Sequence, residues 1–294
     1  MEQLENIKRK IDSAGDLQSV VKTMKALSAV NIRHYQKSAE ALKDYTRTLE
    51  MGLQIAVKYG PLDIINPPAV PETLGAVIFG SEHGMCGQFN KNITNFAAEK
   101  IDSMGIEREK RKILTLGEQI LPTLEGLGIV PDRKLPMSSS FSRITAILDK
   151  IVLQIDKWYF QEKLDQILLF YNEPARGTSY SPHSHCLIPL DLAWLEELKK
   201  KPWPSKRIPT YMLDWEELFF SLLDQYFFMV LYRAFVYSLT SENSSRLSAM
   251  QAAEDNIEER LKNLRTSYQH QRKASITDEL MDISAGFEVL KEKE

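Results

Sequence analysis

Cysteine is nearly missing from these 294 residues. Cys86 and Cys186 are the whole complement, and two do not build a disulfide framework in a chain of this size, so a reducing compartment is the default. Excess charge is missing too: 37 Lys and Arg face 40 Asp and Glu, for a formal net charge of −3. That balance gives no electrostatic reason to expect a nucleic-acid partner. There is no clean apolar run of bilayer length. The most apolar window, Leu218 to Tyr237, is interrupted by Asp224, Gln225 and Arg233, groups that a membrane span rarely accepts. It reads as a helix face buried against a domain. No basic-then-apolar leader and no lipidation signal is expected at the start. The most telling absence is that of helix breakers. Thr210 to Ala285 holds neither proline nor glycine, and Met1 to Tyr59 holds no proline and only Gly15 and Gly52.

In the C-terminal stretch, apolar residues recur at alternating three- and four-residue steps. Leu247, Met250, Ile257, Leu261, Leu264 and Tyr268 form one seam, and Ile276, Leu280, Ile283, Phe287 and Leu290 a second run. The pattern predicts a single helix of roughly 75 residues, on the order of 110 Å long. A helix of that length is expected to project from any globular body, and its narrow seam needs a partner helix. The N-terminal stretch offers one. Leu4, Ile7, Ile11 and Ala14 step by three and four. Leu17, Val21, Met24, Ser28, Ile32 and Tyr35 then continue after an expected one-residue phase shift, which rotates a seam without ending the helix. Gly15 inside it costs about 1 kcal/mol relative to alanine. The two ends read as halves of one antiparallel coiled coil. The plainer alternative is two amphipathic helices docked separately on a core.

Between them the texture changes. Gly60-Pro61 and Pro67, Pro68 and Pro71 punctuate the exit from the first helix. Strands are expected at Leu74 to Phe79, Lys112 to Leu116, Gln166 to Tyr171 and around His185 to Leu190. Helices are expected at Lys91 to Met104, Glu118 to Leu127 and Ser140 to Phe160. Such alternation argues for a mostly parallel sheet covered by helices. The parts are residues 1–59, 72–205 and 210–290: an α/β domain inserted between the two halves of a helical rod.

No segment forms a catalytic constellation. Gly80 to Asn90 (GSEHGMCGQFN) follows a strand and precedes a helix, where α/β domains bind phosphate. It matches neither the dinucleotide fingerprint nor the P-loop, so a structural turn is the better reading. Cys86 near His83 could suggest a thiolate nucleophile, but no supporting partner can be placed. His183, His185 and Cys186 invite a metal reading that needs a further ligand from elsewhere; a loop beside a sheet edge is favoured. Ser138 to Ser140 reads as a helix cap or a flexible loop, and Glu258, Glu259, Arg260, Lys262 and Arg265 as a solvated face or, functionally, a partner surface. No cofactor is expected.

Read together, the termini resemble the gamma subunit of F-type rotary ATP synthases. Ile7 to Arg33 (IKRKIDSAGDLQSVVKTMKALSAVNIR) is similar to that family's N-terminal motif through Ile7, Lys10, Ile11, Ser13, Gln18, Lys22, Met24 and Arg33. Ser241 to Asn256 (SENSSRLSAMQAAEDN) resembles its Ser-Glu, Arg, Ala-Met segment. Arg272 to Gly286 (RKASITDELMDISAG) resembles its C-terminal signature through Ser275, Ile276, Thr277, Glu279, Leu280 and Gly286. Gly84, Cys86, Gly87 and Asn90 fit its Gly-Leu-Cys-Gly pattern after the first strand. Phe287 and Val289 depart from the signature, as do Ala14 to Gln18. With the AGDLQSVVKTMKALSA wording, these departures resemble the alternate, N-type branch, for which sodium transport has been proposed. The chain has no cysteine pair in an insertion, so the chloroplast thiol switch is not expected.

The resemblance implies a central stalk. Its antiparallel coiled coil turns inside a ring of alternating alpha and beta subunits. An inserted Rossmann-like α/β domain contacts an epsilon-type subunit and the membrane rotor ring. Proton or sodium flow is then coupled to ATP synthesis or hydrolysis by a chain that does no bond chemistry, peripheral to the cytoplasmic face of the cell membrane and without a span of its own. The resemblance points to Met24, Arg33, Glu242, Arg246, Thr277 and Glu279 as partner-binding. Thr277 and Glu279 belong to the upper contacts, and Met24, Glu242 and Arg246 to the region facing the moving catalytic domains. Packing is the plain alternative for each, above all for Met24 on its apolar seam. Two other classes are a non-rotary coiled-coil scaffold, expected to homodimerise, and an α/β enzyme using the Gly80 to Gly87 turn, expected to bind nucleotide.

Overall fold

The computed structural model describes residues 2–60, 70–207 and 209–291, with backbone alone at 2, 3, 141, 142, 282 and 285–291. Pro61, Pro67 and Pro68 and the side chains of Phe287 and Leu290 lie outside the described residues. Helix α1 runs Glu2–Tyr59 and helix α6 Trp215–Lys291, 58 and 77 residues. Between them come β1 Leu74–Phe79, α2 Phe89–Ser103, β2 Arg111–Leu116, α3 Leu121–Gly126, β3 Arg133–Leu135, α4 Phe141–Asp156, β4 Gln166–Pro174, β5 Tyr180–Ile188 and α5 Leu192–Lys200. The chain divides into two compact units: residues 1–27 with 247–294, and residues 28–246. Packing thus groups 28–59 and 210–246 with the sheet, a division that differs from one drawn at the ends of the long helices.

The first unit is a pair of antiparallel helix segments. Gln18 Nε2 donates to Glu258 Oε1 at 3.3 Å, and Lys25 Nζ to Gln251 Oε1 at 2.8 Å and Glu254 Oε2 at 2.5 Å. Position numbers rise on one helix as they fall on the other. On α6 the contact positions are Leu247, Met250, Glu254, Ile257, Leu261, Leu264 and Tyr268, the expected seam with Glu254 filling its gap. On α1 the expected phase shift does not occur. Leu17 is 59% exposed, and Gln18, half-buried, continues the alternating steps from Ala14 to Val21. The polar residue keeps the seam because it has Glu258 to bond, so an uninterrupted 3–4 spacing outweighs hydrophobicity at one position.

The second unit is built on a five-stranded sheet in the order β3-β2-β1-β4-β5, parallel except for β5. Leu74 pairs with Arg111 on one side and Gln166 on the other. Because strand side chains alternate, β1 feeds two cores. Leu74, Ala76 and Ile78 pack with Ile93, Ala97 and Ile101 of α2 and Leu124 of α3. Val77 and Phe79 pack with Ile144, Leu148 and Ile151 of α4, Tyr35 of α1, and Val230, Ala234 and Phe235 of α6. Each such fully buried aliphatic or aromatic side chain contributes roughly 1.5–3 kcal/mol. A third cluster joins Leu53, Ala56 and Val57 of α1 to Leu195 and Leu198 of α5 and to Phe219 and Leu223 of α6. There Trp215 Nε1 donates to Ala56 O at 2.7 Å. The sheet has one strand, β3, that the sequence pattern does not announce; β5 begins earlier than expected, and α4 closes in a π-helical turn, Lys157–Gln161.

Candidate partner-binding surfaces

The turn after β1 carries the middle motif, and its polar groups are used internally. Gly80 N donates to Leu116 O, Ser81 N to Asn90 Oδ1, and Gln119 N to Ser81 O. Met137 N donates to Glu82 Oε2 at 2.8 Å. Gly117, at φ 86°, is required where the β2 exit passes this turn, since a Cβ there would lie 2.5 Å from Ser81 O. Helix α6 holds the same turn from the other side. Ser245 Oγ donates to Cys86 O at 2.6 Å, and Arg246 Nη2 donates to His83 O at 3.1 Å and Gly84 O at 3.3 Å. Arg246 Nη2 also pairs with Glu242 Oε1 at 2.6 Å, with side chains only 10% and 6% exposed. Burial pushes the Glu242 carboxyl up against the pull of Arg246, and pushes the Cys86 thiol up. The nearby Tyr35 phenol is raised to about 12 by burial and by Glu242; it donates to Ser139 O at 3.0 Å. Glu242 and Arg246 therefore face inward, onto the turn. Cys86, a buried thiol with a raised pKa, is a packing group.

The other resemblance-derived positions differ from this pair. Arg33, in the sheet-containing unit, is exposed. Met24, in the two-helix unit, is half-buried, and helical spacing sets it in a stripe with Leu17, Val20 and Leu27, which are 59%, 55% and 58% exposed. Hydrophobic periodicity took Leu17 and Met24 as seam and passed over Val20 and Leu27; a count of apolar residues exceeding one seam would have found them. Thr277 and Glu279 are exposed, Thr277 Oγ1 donating only to Lys273 O, one turn back. Around them Ile276, Leu280, Met281 and Ile283 are 47%, 62%, 66% and 58% exposed. The expectation that the second apolar run pairs within the chain is corrected: as far as its side chains are described, it is exposed instead.

On β5, His183 Nδ1 lies 3.7 Å from Glu173 Oε2, and Cys186 Sγ contacts Ile188 O at 3.3 Å. His185 is pushed down to about 4 by burial, then by Arg233 and His183. Among the described residues no three of His, Cys, Asp and Glu converge as a metal site would require.

Comparison with known proteins places this architecture. A family model described as ATP synthase matches residues 3–290. The ATP synthase gamma chain of Alkaliphilus metalliredigens is 26% identical over 98% of this chain and 99% of its own length. That of Pelagibacter ubique is 27% identical over 99% and 100%. Among solved structures, a chain of the Euglena gracilis mitochondrial ATP synthase, in its OSCP/F1/c-ring assembly at rotational state 3, shares the fold. Its TM-score is 0.68 at 17% identity, over 98% of this chain and 95% of that one. A family match along nearly the whole length, on a fold of two long helices around a five-stranded sheet, assigns the chain: it belongs to the gamma-chain family of ATP synthases.

Proposed function

We infer that this chain is the central-stalk rotor subunit of an F-type ATP synthase, coupling transmembrane proton or sodium flow to ATP synthesis or hydrolysis in an alpha–beta ring. The observation that carries the reading is the exposed apolar run of α6. Ile276, Leu280, Met281 and Ile283 expose large apolar side chains on one segment of the long helix, and exposed apolar surface of this kind marks an interaction site. An alpha–beta ring closing around that segment would bury them, with Thr277 and Glu279 giving the polar contacts there. Met24, in its apolar stripe, and Arg33 are proposed as contacts to the ring's moving catalytic domains. Glu242 and Arg246 act one step removed, by fixing the 82–87 turn whose tip, Met85, is 58% exposed. The chain itself is non-catalytic. Coupling arises because each orientation of an asymmetric shaft favours one set of ring conformations over the others. An epsilon-type subunit and the membrane rotor ring complete the partner set, and the assembly sits on the cytoplasmic face of the cell membrane.

Reconstitution with the same organism's alpha and beta subunits tests the reading. One copy per hexamer with raised steady-state ATP turnover is expected. The triple variant Ile276→Ser, Leu280→Ser, Ile283→Ser should weaken retention at least about tenfold, since each buried side chain contributes about 1 kcal/mol or more. A chain that stays separate and leaves turnover unchanged would overturn the rotor assignment and bring forward a scaffold role.

A further inference from the structure

We propose that the loop between α5 and α6, together with the last turn of α1, forms a contact surface for an anionic lipid bilayer. The loop is basic in a way that the whole chain is not. Residues 198–213 hold Lys199, Lys200, Lys201, Lys206 and Arg207 and no acid, in a chain of formal net charge −3. The next acids along the chain, Asp214, Glu216 and Glu217, fall at the start of α6, where negative charge complements the helix dipole.

Contacts within the sheet-containing unit bring these groups to one end of it. Gln54 Nε2 of α1 donates to Lys201 O, and Lys201 Nζ lies 3.9 Å from Glu50 Oε2. At the other end of the loop, Trp215 Nε1 donates to Ala56 O, so both loop ends meet the last turns of α1. Lys58 and Tyr59 follow directly. Inside the loop, Arg207 O accepts from Trp203 Nε1 at 2.9 Å and from Ser205 Oγ at 2.8 Å. These bonds, with Pro202 and Pro204 fixing their own backbone, close a turn that leaves Lys206 and Arg207 exposed. Lys200 lies 3.9 Å from Glu196. Among the described residues, Lys58, Lys199, Lys206 and Arg207 have no ion pair. Apolar groups stand beside these cations. Met212 is fully exposed, Tyr59 60% and Leu213 51% exposed, and Trp203 and Tyr211 are half-buried.

The mixture of groups selects the occupant. Clusters of about four to eight basic residues suit anionic headgroups, but cations alone would suit any polyanion. A nucleic acid would satisfy the charges and leave Met212 and Leu213 in water. A bilayer offers phosphate at its surface and hydrocarbon just beneath, and so matches lysine and arginine beside methionine, leucine, tryptophan and tyrosine. Either signal alone binds weakly, and the two together hold. The proposal goes beyond the rotor reading and does not rest on it.

Flotation of the purified full chain with vesicles tests it, in the background Ile276→Ser/Leu280→Ser/Ile283→Ser so that the exposed run of α6 contributes nothing. The chain is expected to float with mixed phosphatidylcholine–phosphatidylglycerol vesicles, to stay behind with pure phosphatidylcholine, and to be released by high salt. Lys199→Gln/Lys206→Gln/Arg207→Gln should weaken binding at least about tenfold. Met212→Ser/Leu213→Ser should weaken it at least about threefold. Thermal unfolding should shift by only a few degrees in each, since all five side chains are exposed. The two variants share no residue, so misfolding of one does not decide the outcome. Absent binding to anionic vesicles, or equal binding to neutral ones, overturns the proposal. So does indifference to the charge variant, which would put lipid binding elsewhere on the chain. Indifference to the serine variant overturns it too, by marking a charge-only surface for an acidic protein segment or a nucleic acid. Assembly with alpha and beta subunits is measured apart from vesicle binding, so failure here and failure of the rotor reading are distinguishable.

Discussion

The two compact units bury their helices by opposite means. In the two-helix unit, contact is one seam wide: Ala14, Val21, Met250, Glu254 and Leu261 are buried, and most of the residues between them are exposed. In the sheet-containing unit, every residue of α6 from Ser238 to Arg246 is buried, although the run is almost wholly polar. A helix polar on all sides ordinarily belongs in water. Here neighbouring backbone supplies acceptors: Asn172 O takes Ser241 Oγ, Cys86 O takes Ser245 Oγ, and His83 O and Gly84 O take Arg246. Burial of polar groups is tolerated where most hydrogen bonds are made; Ser238 Oγ and Arg246 Nε are the buried atoms of this run left without one. Seam width in one unit and hydrogen bonds to neighbouring backbone in the other set what each segment can withstand.

The largest test of that contrast is Arg246→Ala. It leaves Glu242, 6% exposed, as an unpaired buried acid and frees two carbonyls, so a loss of about 3–5 kcal/mol is expected in urea unfolding. The double variant Glu242→Leu/Arg246→Met removes both charges and should lose much less. A loss below about 1 kcal/mol for Arg246→Ala would mean that the turn is not held by this pair.

A pH titration probes the sheet edge of the same unit. His185 is held neutral in the fold, its pKa down at about 4 through burial, whereas the unfolded chain binds a proton near 6.5. Its contribution is therefore complete above about pH 6.5 and is lost as pH falls toward 4. Discounted for partial exposure, the loss is about 2 kcal/mol. His185→Gln should flatten the stability curve across that window; an unchanged slope would assign it to other groups.

The sequence makes the scaffold legible because its signals are local. Missing Pro and Gly, with 3–4 spacing, foretell both long helices, and short apolar runs foretell four of the five strands. What escapes is set by distant partners. Leu17 looks like seam until Gln18 is seen to bond Glu258. β3, only Arg133–Leu135, is too short to carry a pattern. The inward role of Glu242 and Arg246 depends on a turn some 160 positions away. The exposure of Ile276, Leu280 and Ile283 escapes because an apolar run looks the same whether or not a partner reaches it.

In the two-helix unit the polar layer should matter less than its buried counterpart. Lys25 is 33% exposed and Glu254 12%, so Lys25→Ala is expected to cost about 1 kcal/mol, less in high salt. A cost equal to that of Arg246→Ala would erase the distinction between seam and core.

The finest test uses the two helical glycines of α1. At Gly15 an added Cβ meets nothing within 4 Å. Alanine there should gain about 0.5–1 kcal/mol, because helix interiors disfavour glycine by that amount and no contact offsets the gain. At Gly52 the same atom would lie 3.0 Å from Leu222 Cδ2 and 3.3 Å from Cδ1. Leu222 must shift against the cluster of Leu53, Phe219 and Leu223 that it packs on, and the strain offsets the propensity gain. Gly15→Ala is therefore expected to be the more stable of the two variants by about 1 kcal/mol in parallel denaturation curves. Equal gains would show that the packing around Gly52 yields as readily as open solvent does at Gly15. The contrast between a one-sided seam and a filled core would then not extend to the far end of α1.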